Sequence, residues 1–441
     1  MKVNLSEIPG AIVAPQGFSA SGVFCDIKRL GTGKGSDKGQ KRDLALIVSQ
    51  VPAAVAGMFT TNQVCAAPVK ICMQRVRKGR AQAIVVNSGN ANACTGKQGL
   101  ADALEMVRFT EQALDLVPGS ALVGSTGRIG VTLPMGQVRA GIIEAAVELG
   151  SKPARAVQAA EAIMTSDTRP KQIAVEFRLG GKRVRLGGIC KGAGMIQPGM
   201  SGTGKRPAAA PLHATMLCFL TTDAKVDPKP LQAALQDAVA NSFNRITVDG
   251  DMSTNDTVLI LANGLAGPRV QTPQSKDFAV FQAALSHVCL ELAKMIVRDG
   301  EGVWRFITIR VTGAKSFADA DAAARAVANS ALVKTSWSGG DPNWGRIIDA
   351  LGYSPARVVE DKVDIGYSAP NSHTVLWSLK RGQPTNARFK DLCAAVAPRE
   401  FDLHIRLNLG HGAALMYAAD LTEEYVEFNK GDVSDPASLG G

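Results

Sequence analysis

Aromatic side chains are scarce in this chain: Phe, Trp and Tyr together make up 5% of 441 residues. Lys and Arg outnumber Asp and Glu by 49 to 39, a formal charge of +10, yet the basic residues are scattered. A nucleic-acid binder gathers its cations on a stripe or supplies stacking rings, so that class is set aside. The excess charge reads as a solvated surface whose field favours small anions. Histidine is scarcer still, with five residues, none at metal-site spacing from the eight cysteines. No Cys-x-x-Cys pair occurs, and Cys218 and Cys289 sit in apolar runs. That usage suits reduced, mostly buried thiols in a cytosolic protein rather than a disulfide framework. No run of 18 apolar residues is present, and Glu7, Pro9 and Gly10 interrupt the N-terminal stretch. A soluble, cytoplasmic protein without a membrane span or export signal is therefore expected.

Length sets the next bound, because one hydrophobic core stops growing at roughly 250 to 300 residues, so two lobes or layers are expected. A hydrophobic fraction of 46% and a mean hydropathy of +0.05 exclude wholesale disorder. Strand-like runs occur at 43–49, 83–87, 257–262, 305–311 and 402–408, and helical periodicity at 102–117, 135–149, 154–165, 230–241, 277–297 and 316–333. The clearest helix places Phe278, Phe281, Leu285, Val288, Leu292 and Ile296 on one face. This alternation predicts an α/β or α+β protein with layered sheets.

Two glycine-rich stretches invite a nucleotide reading that their context refuses. Gly31 to Gly39 precedes a strand, whereas a dinucleotide loop follows one, so it reads as a mobile hairpin tip or loop. Gly199-Met-Ser-Gly-Thr-Gly-Lys205 resembles a phosphate loop, but Arg206-Pro207 replaces the Ser or Thr and the helix that the loop needs. Residues 435–441 read as a frayed tail.

The informative segments are Lys191-Gly-Ala-Gly-Met-Ile-Gln-Pro198, Ala214-Thr215 with the apolar run after it, and Ser242-Phe-Asn-Arg-Ile-Thr-Val-Asp-Gly-Asp-Met-Ser-Thr-Asn-Asp256. Met58 to Val69, Asn87 to Gly96, Gly124 to Gly130, Met164 to Thr168, Asp299 to Gly302, Lys334-Thr335, Asp341 to Ile347 and Asp420 to Val426 join them along the chain. Together and in this order they resemble the ornithine acetyltransferase family, also called bifunctional glutamate N-acetyltransferase. Taken alone, Thr215 would read as a β-branched residue opening a buried strand.

The resemblance implies layered sheets sandwiched by helices, similar to N-terminal-nucleophile hydrolases. It also implies self-cleavage at Ala214-Thr215, giving an N-terminal chain 1–214 and a C-terminal chain 215–441 that stay together, as a heterotetramer of two of each. Thr215 then becomes the nucleophile, with its own α-amine as base, since a reference pKa of about 7.7 to 8.0 suits that task. Thr126 and Gly127, in a glycine-containing turn, are implied as the oxyanion hole, and Thr165, Lys191, Thr215, Glu301, Asn429 and Ser434 as substrate-binding. A lysine suits an α-carboxylate or an anionic intermediate, and Glu301 suits a substrate ammonium. The implied reaction moves acetyl from N-acetylornithine to glutamate in arginine biosynthesis. No cofactor is implied, and acetyl-CoA is admitted as a co-substrate.

The chain departs from the family pattern in four places. Arg128 stands where the family has an aliphatic residue, facing solvent or intruding on the pocket. Asp432 replaces a tyrosine, and Val303-Trp304-Arg305 replaces small residues and a lysine. An insertion, 201–213, separates Met200 from the cleavage bond; added loop length costs only about 0.6 kcal/mol per doubling. Two other readings stay open from sequence: a related amidase or aminopeptidase passing acyl groups to water, and an uncut binding protein.

Overall fold

The computed structural model of the chain describes residues 3–28, 41–205 and 216–430. In chain order it forms strands β1 (Ser6–Glu7), β2 (Phe18–Val23) and β3 (Leu44–Phe59), helix α1 (Ala67–Val76), β4 (Arg80–Asn90), α2 (Gly96–Ala113) and β5 (Ala121–Arg128). Then follow α3 (Met135–Val147), α4 (Pro153–Ala162), β6 (Lys171–Leu179), β7 (Lys182–Lys191), β8 (Leu217–Val226), α5 (Pro228–Ala240), β9 (Ile246–Thr247), β10 (Thr257–Val270) and α6 (Lys276–Arg298). The remainder comprises β11 (Phe306–Ala314), α7 (Phe317–Asn329), α8 (Ala331–Ser338), α9 (Trp344–Gly352), β12 (Asp364–Ser368), β13 (Leu376–Lys380), β14 (Gln383–Pro384), α10 (Phe389–Val396), β15 (Glu400–Arg406), β16 (Gly412–Ala419) and α11 (Glu423–Phe428). The stretches 31–39, 206–215 and 431–441 lie outside the described residues, and with them Ala214, Thr215, Asp432 and Ser434.

Contacts divide the chain into two units, the first comprising Met1–Asn244, Asp251–Ile296 and Lys430–Gly441, the second Arg245–Gly250 and Val297–Asn429. The first holds a mixed sheet in the order β1-β6-β7-β8-β10-β3-β4-β5, with β2 paired to β3. β8 runs parallel to β10 and β5 parallel to β4; the other pairs are antiparallel. Leu217 to Leu220 of β8 are all buried, which explains a near-continuous apolar run instead of alternation. Helix α2 buries Ala103, Met106, Val107 and Thr110, a helical stripe three and four residues apart.

Helix α6 is long and apolar enough to cross a membrane by length and composition alone. Its apolar side is taken up within the protein. Phe281, Leu285, Val288, Leu292 and Ile296 are buried, while Phe278 is half-buried. The Cys190 thiol points at the Leu292 carbonyl, 3.6 Å away.

The second unit holds a sheet in the order β14-β13-β12-β15-β11-β16-β9. Helix α7 presents Ala320, Ala323, Ala324, Val327 and Ala328, all buried, to this unit's core. The expected helix 316–333 is two helices. Ser330 is extended, and its side chain caps α8 by accepting from the Val333 amide, which ends α7 and starts the next.

Candidate active site

In the first unit, four of the segments singled out in the sequence, those holding Thr60, Asn87, Ser125 and Asn255, converge on one asparagine-rich lattice. Ser125 Oγ donates to Asn87 Oδ1 (2.6 Å), and Asn87 Nδ2 to the Asn90 carbonyl (2.8 Å). Asn255 Nδ2 reaches the carbonyls of Ala91 (2.6 Å) and Ser125 (2.8 Å). Thr60 joins the same lattice through its hydroxyl on the Ser253 carbonyl (2.8 Å). Short amides and hydroxyls are needed here because buried backbone groups outside the ladders must find partners.

Thr126 and Gly127 lie near the end of β5, not in a turn, and pair with β4 at Ser88 and Gly89. Gly127 has φ +130°, and a Cβ there would lie 2.3 Å from the Gly89 carbonyl carbon. Only glycine fits, on conformation and on space. The Thr126 side chain is buried, and its hydroxyl has no hydrogen-bond partner among the described residues. Arg128 is 3% exposed, so its side chain is packed inside and does not face solvent.

Lys191 is the last residue of β7, and only 2% of it is exposed. Its charge alone suggests a surface residue; the strand instead buries it opposite Leu217 of β8. Asp167 anchors this corner. It accepts from Lys171 Nζ (2.5 Å), the Gly192 amide (2.7 Å) and the Thr165 amide (3.0 Å). Burial opposes its ionisation, but Lys171 and Lys191 outweigh that and hold the carboxyl well below the usual range. Lys28, also buried, donates to the Arg42 carbonyl (2.7 Å), and burial pushes its pKa down to about 8.

Chain position 216 is fixed from the opposite side. The Met216 amide donates to Asp256 Oδ1 (2.6 Å), and the Met216 carbonyl accepts from the Thr257 amide (3.1 Å). Sequence reasoning did not single out Asp256, Asp167 or Lys28. Asp256 and Asp167 stand inside quoted segments, so position was the available signal; for Lys28 no pattern announces its burial.

The second unit brings Glu301 and Asn429 together. Asn429 Nδ2 donates to Glu301 Oε2 (3.0 Å) and to the Tyr425 carbonyl (2.9 Å). Gly302, φ +64°, has space for no side chain, since a Cβ would lie 2.3 Å from the Tyr425 nitrogen. Thr422 Oγ1 caps α11 and donates to the Gly302 carbonyl (2.6 Å). The unusual Val303-Trp304-Arg305 run is absorbed structurally: Asp420 Oδ1 accepts both the Trp304 and Arg305 amides (3.0 and 2.9 Å). Arg305 donates to the Ser338 carbonyl at the end of α8 (2.6 Å), and the Arg399 guanidinium lies 4.0 Å over the Trp304 ring.

Comparison with known proteins gives a consistent answer. The ArgJ family model matches residues 21–431. The arginine biosynthesis bifunctional protein ArgJ of Symbiobacterium thermophilum is 47% identical over 425 residues, 96% of this chain and 98% of that protein. The glutamate N-acetyltransferase of Methanocaldococcus jannaschii is 42% identical over 427 residues, again 96% and 98%. Among solved structures, the ornithine acetyltransferase of Mycobacterium tuberculosis complexed with ornithine is 36% identical, with a TM-score of 0.40 over 45% of this chain and all of that one. The chain belongs to the ArgJ family.

Proposed function

We propose that this protein transfers acetyl from N-acetylornithine to glutamate through an ester on Thr215, which a self-cleavage at Ala214-Thr215 exposes as an N-terminal residue. The observation that carries the reading is the segment Met216-Leu217, which follows position 215 and opens β8. It is held between Lys191, opposite Leu217, and the Asn255-Asp256 pair, which binds Ser125 on one side and Met216 on the other. The strand end carrying Thr126 and Gly127 is thereby tied to the chain that follows Thr215. The names of the relatives, glutamate N-acetyltransferase and bifunctional ArgJ, support the same chemistry.

In the first half-reaction Thr215 Oγ attacks the acetyl carbonyl while its α-amine takes the hydroxyl proton. The charge that forms on the carbonyl oxygen is met by the Thr126 hydroxyl and the Gly127 amide, donors of the kind whose loss costs roughly 2.7 to 4 kcal/mol. The tetrahedral intermediate collapses by breaking the C–N bond, the departing ornithine amine takes the proton, and acetyl-Thr215 remains. Glutamate's amine then attacks the ester, and the Thr215 oxygen recovers a proton as it leaves. Lys191 provides a buried positive charge for a substrate carboxylate or the oxyanion, and Thr165 is tied to Asp167 near it; within the second unit, the Glu301 and Asn429 pair offers an acceptor and a donor suited to an amino-acid substrate. Ser434 completes the proposed substrate-binding set.

The proposal includes a cytoplasmic location, where unpaired cysteines stay reduced, and an assembly of two N-terminal and two C-terminal fragments. No cofactor enters the steps; replacing N-acetylornithine by acetyl-CoA in the same assay decides whether it is a second donor. Initial rates over both substrates test the transfer. Parallel double-reciprocal lines are expected, with Thr215→Ala inactive; intersecting lines, or turnover by Thr215→Ala, would overturn it.

A further inference from the structure

Asp256 is wholly buried just ahead of β10, and its two carboxyl oxygens have different surroundings. Oδ1 accepts the Met216 amide at 2.6 Å. Oδ2 has no hydrogen-bond partner among the described residues. The backbone beneath it is pinned, with the Asp256 carbonyl accepting from the Thr60 amide (2.9 Å) and the Thr257 amide donating to the Met216 carbonyl (3.1 Å). Met216 is the residue that follows Thr215 in the chain, so Oδ1 holds the first described amide after the proposed nucleophile.

We propose that Asp256 is a positioning residue for Thr215: it acts through the Met216 amide to hold the residue before it in line for attack. The inference rests on the acetyl-transfer reading above. An ordinary ladder bond would serve strand pairing alone and would not require a buried carboxyl, which is costly to leave half-satisfied. Burial raises the Asp256 carboxyl well above the usual range, against the pull of the Met216 amide and Lys191, and so favours its protonated form. A neutral acid accepts through Oδ1 and retains its proton on Oδ2. Asparagine reproduces that arrangement in shape, acceptor and donor; alanine removes all three.

The test compares wild type, Asp256→Asn and Asp256→Ala in the full chain, measuring the fraction cut by denaturing mass, then kcat, KM and the pH profile of the cut protein, with circular dichroism to confirm folding. Asp256→Asn should be cut, keep kcat within about fivefold and superimpose on the wild-type pH profile. Folded Asp256→Ala should remain uncut, or be cut with kcat lowered on the order of 10²-fold at nearly unchanged KM, the scale of a misplaced reacting group. If Asp256→Ala does not fold, Asp256→Ser, too short to reach the Met216 amide, is read in its place. A folded alanine or serine variant with wild-type kcat overturns the inference, as does an asparagine variant as impaired as the alanine one, which would mean that an ionised carboxylate is required. A wild-type chain that neither cuts nor transfers acetyl overturns the underlying reading and this inference with it.

Discussion

Gly127 concentrates the argument at the residue scale, because its backbone conformation and the 2.3 Å approach to Gly89 both exclude a side chain. Gly127→Ala is therefore expected to displace the strand end and lower kcat on the order of 10²-fold or more, the cost of misplacing the oxyanion donor proposed at this position. Steady-state kinetics alongside a melting curve checks this; an alanine variant with unchanged kcat would remove Gly127 from the site. Lys334, in the second unit, gives a pH prediction. It is buried, donates to the Ala419 carbonyl, and burial pushes its pKa down to about 8. Since the unfolded lysine titrates near 10.4, the folded protein binds this proton less tightly than the unfolded chain. The penalty is full below pH 8 and is relieved as pH rises to about 10.4. Relative to Lys334→Met, wild type should gain stability across that window, by about 3 kcal/mol, as read by urea unfolding at pH 7 and pH 10.

The same two residues show what the sequence could and could not reveal. The glycine in Ser125-Thr126-Gly127 marked a special backbone site, but read as a turn; the pairing with Gly89 that makes it a strand end is a long-range fact. Lys191 and Lys334 were recognisable only by membership of a segment, because nothing local distinguishes a lysine that a strand or helix buries from one at the surface.

At the scale of elements, periodicity served where one face is buried and the opposite face solvated. The stripe on α6 and the alternation in β15 were legible for that reason, whereas the runs in β3, β4, β10 and β11 are buried on both faces and were legible as near-continuous apolar stretches. Helix α1 escaped, since Pro68 near its start reads as a breaker although proline is tolerated there. The continuous pattern 316–333 hid a break, because the extended backbone of Ser330 leaves no trace in hydrophobic spacing. Caps are local and testable. Ser316 accepts from the Asp319 amide (3.1 Å) at the start of α7, so Ser316→Ala should cost about 1 kcal/mol in urea unfolding, with acetyl transfer unaffected. A variant as stable as wild type would show that the cap contributes nothing.

For the whole molecule, the order of the first sheet is decisive. β8 and β10, which follow position 215, lie between β7 and β3, which precede it. A cut at Ala214-Thr215 thus leaves the C-terminal pair β8-β10 inserted between two groups of N-terminal strands in one sheet, each fragment lacking its neighbours alone. The fragments are expected to co-elute in size-exclusion chromatography without denaturant and to separate only on unfolding; separation under native conditions would contradict this. Family membership was legible from the order of the segments, whereas the meeting of Thr60, Asn87, Ser125 and Met216 with Ser253 to Asp256 inside the first unit required the fold.

The central claim is that Thr215 becomes a free N-terminal nucleophile, and the intact mass of the purified protein under denaturing conditions, with N-terminal sequencing, tests it most directly. Two fragments are expected, one beginning Thr215-Met216-Leu217. A single uncut chain of 441 residues would contradict it.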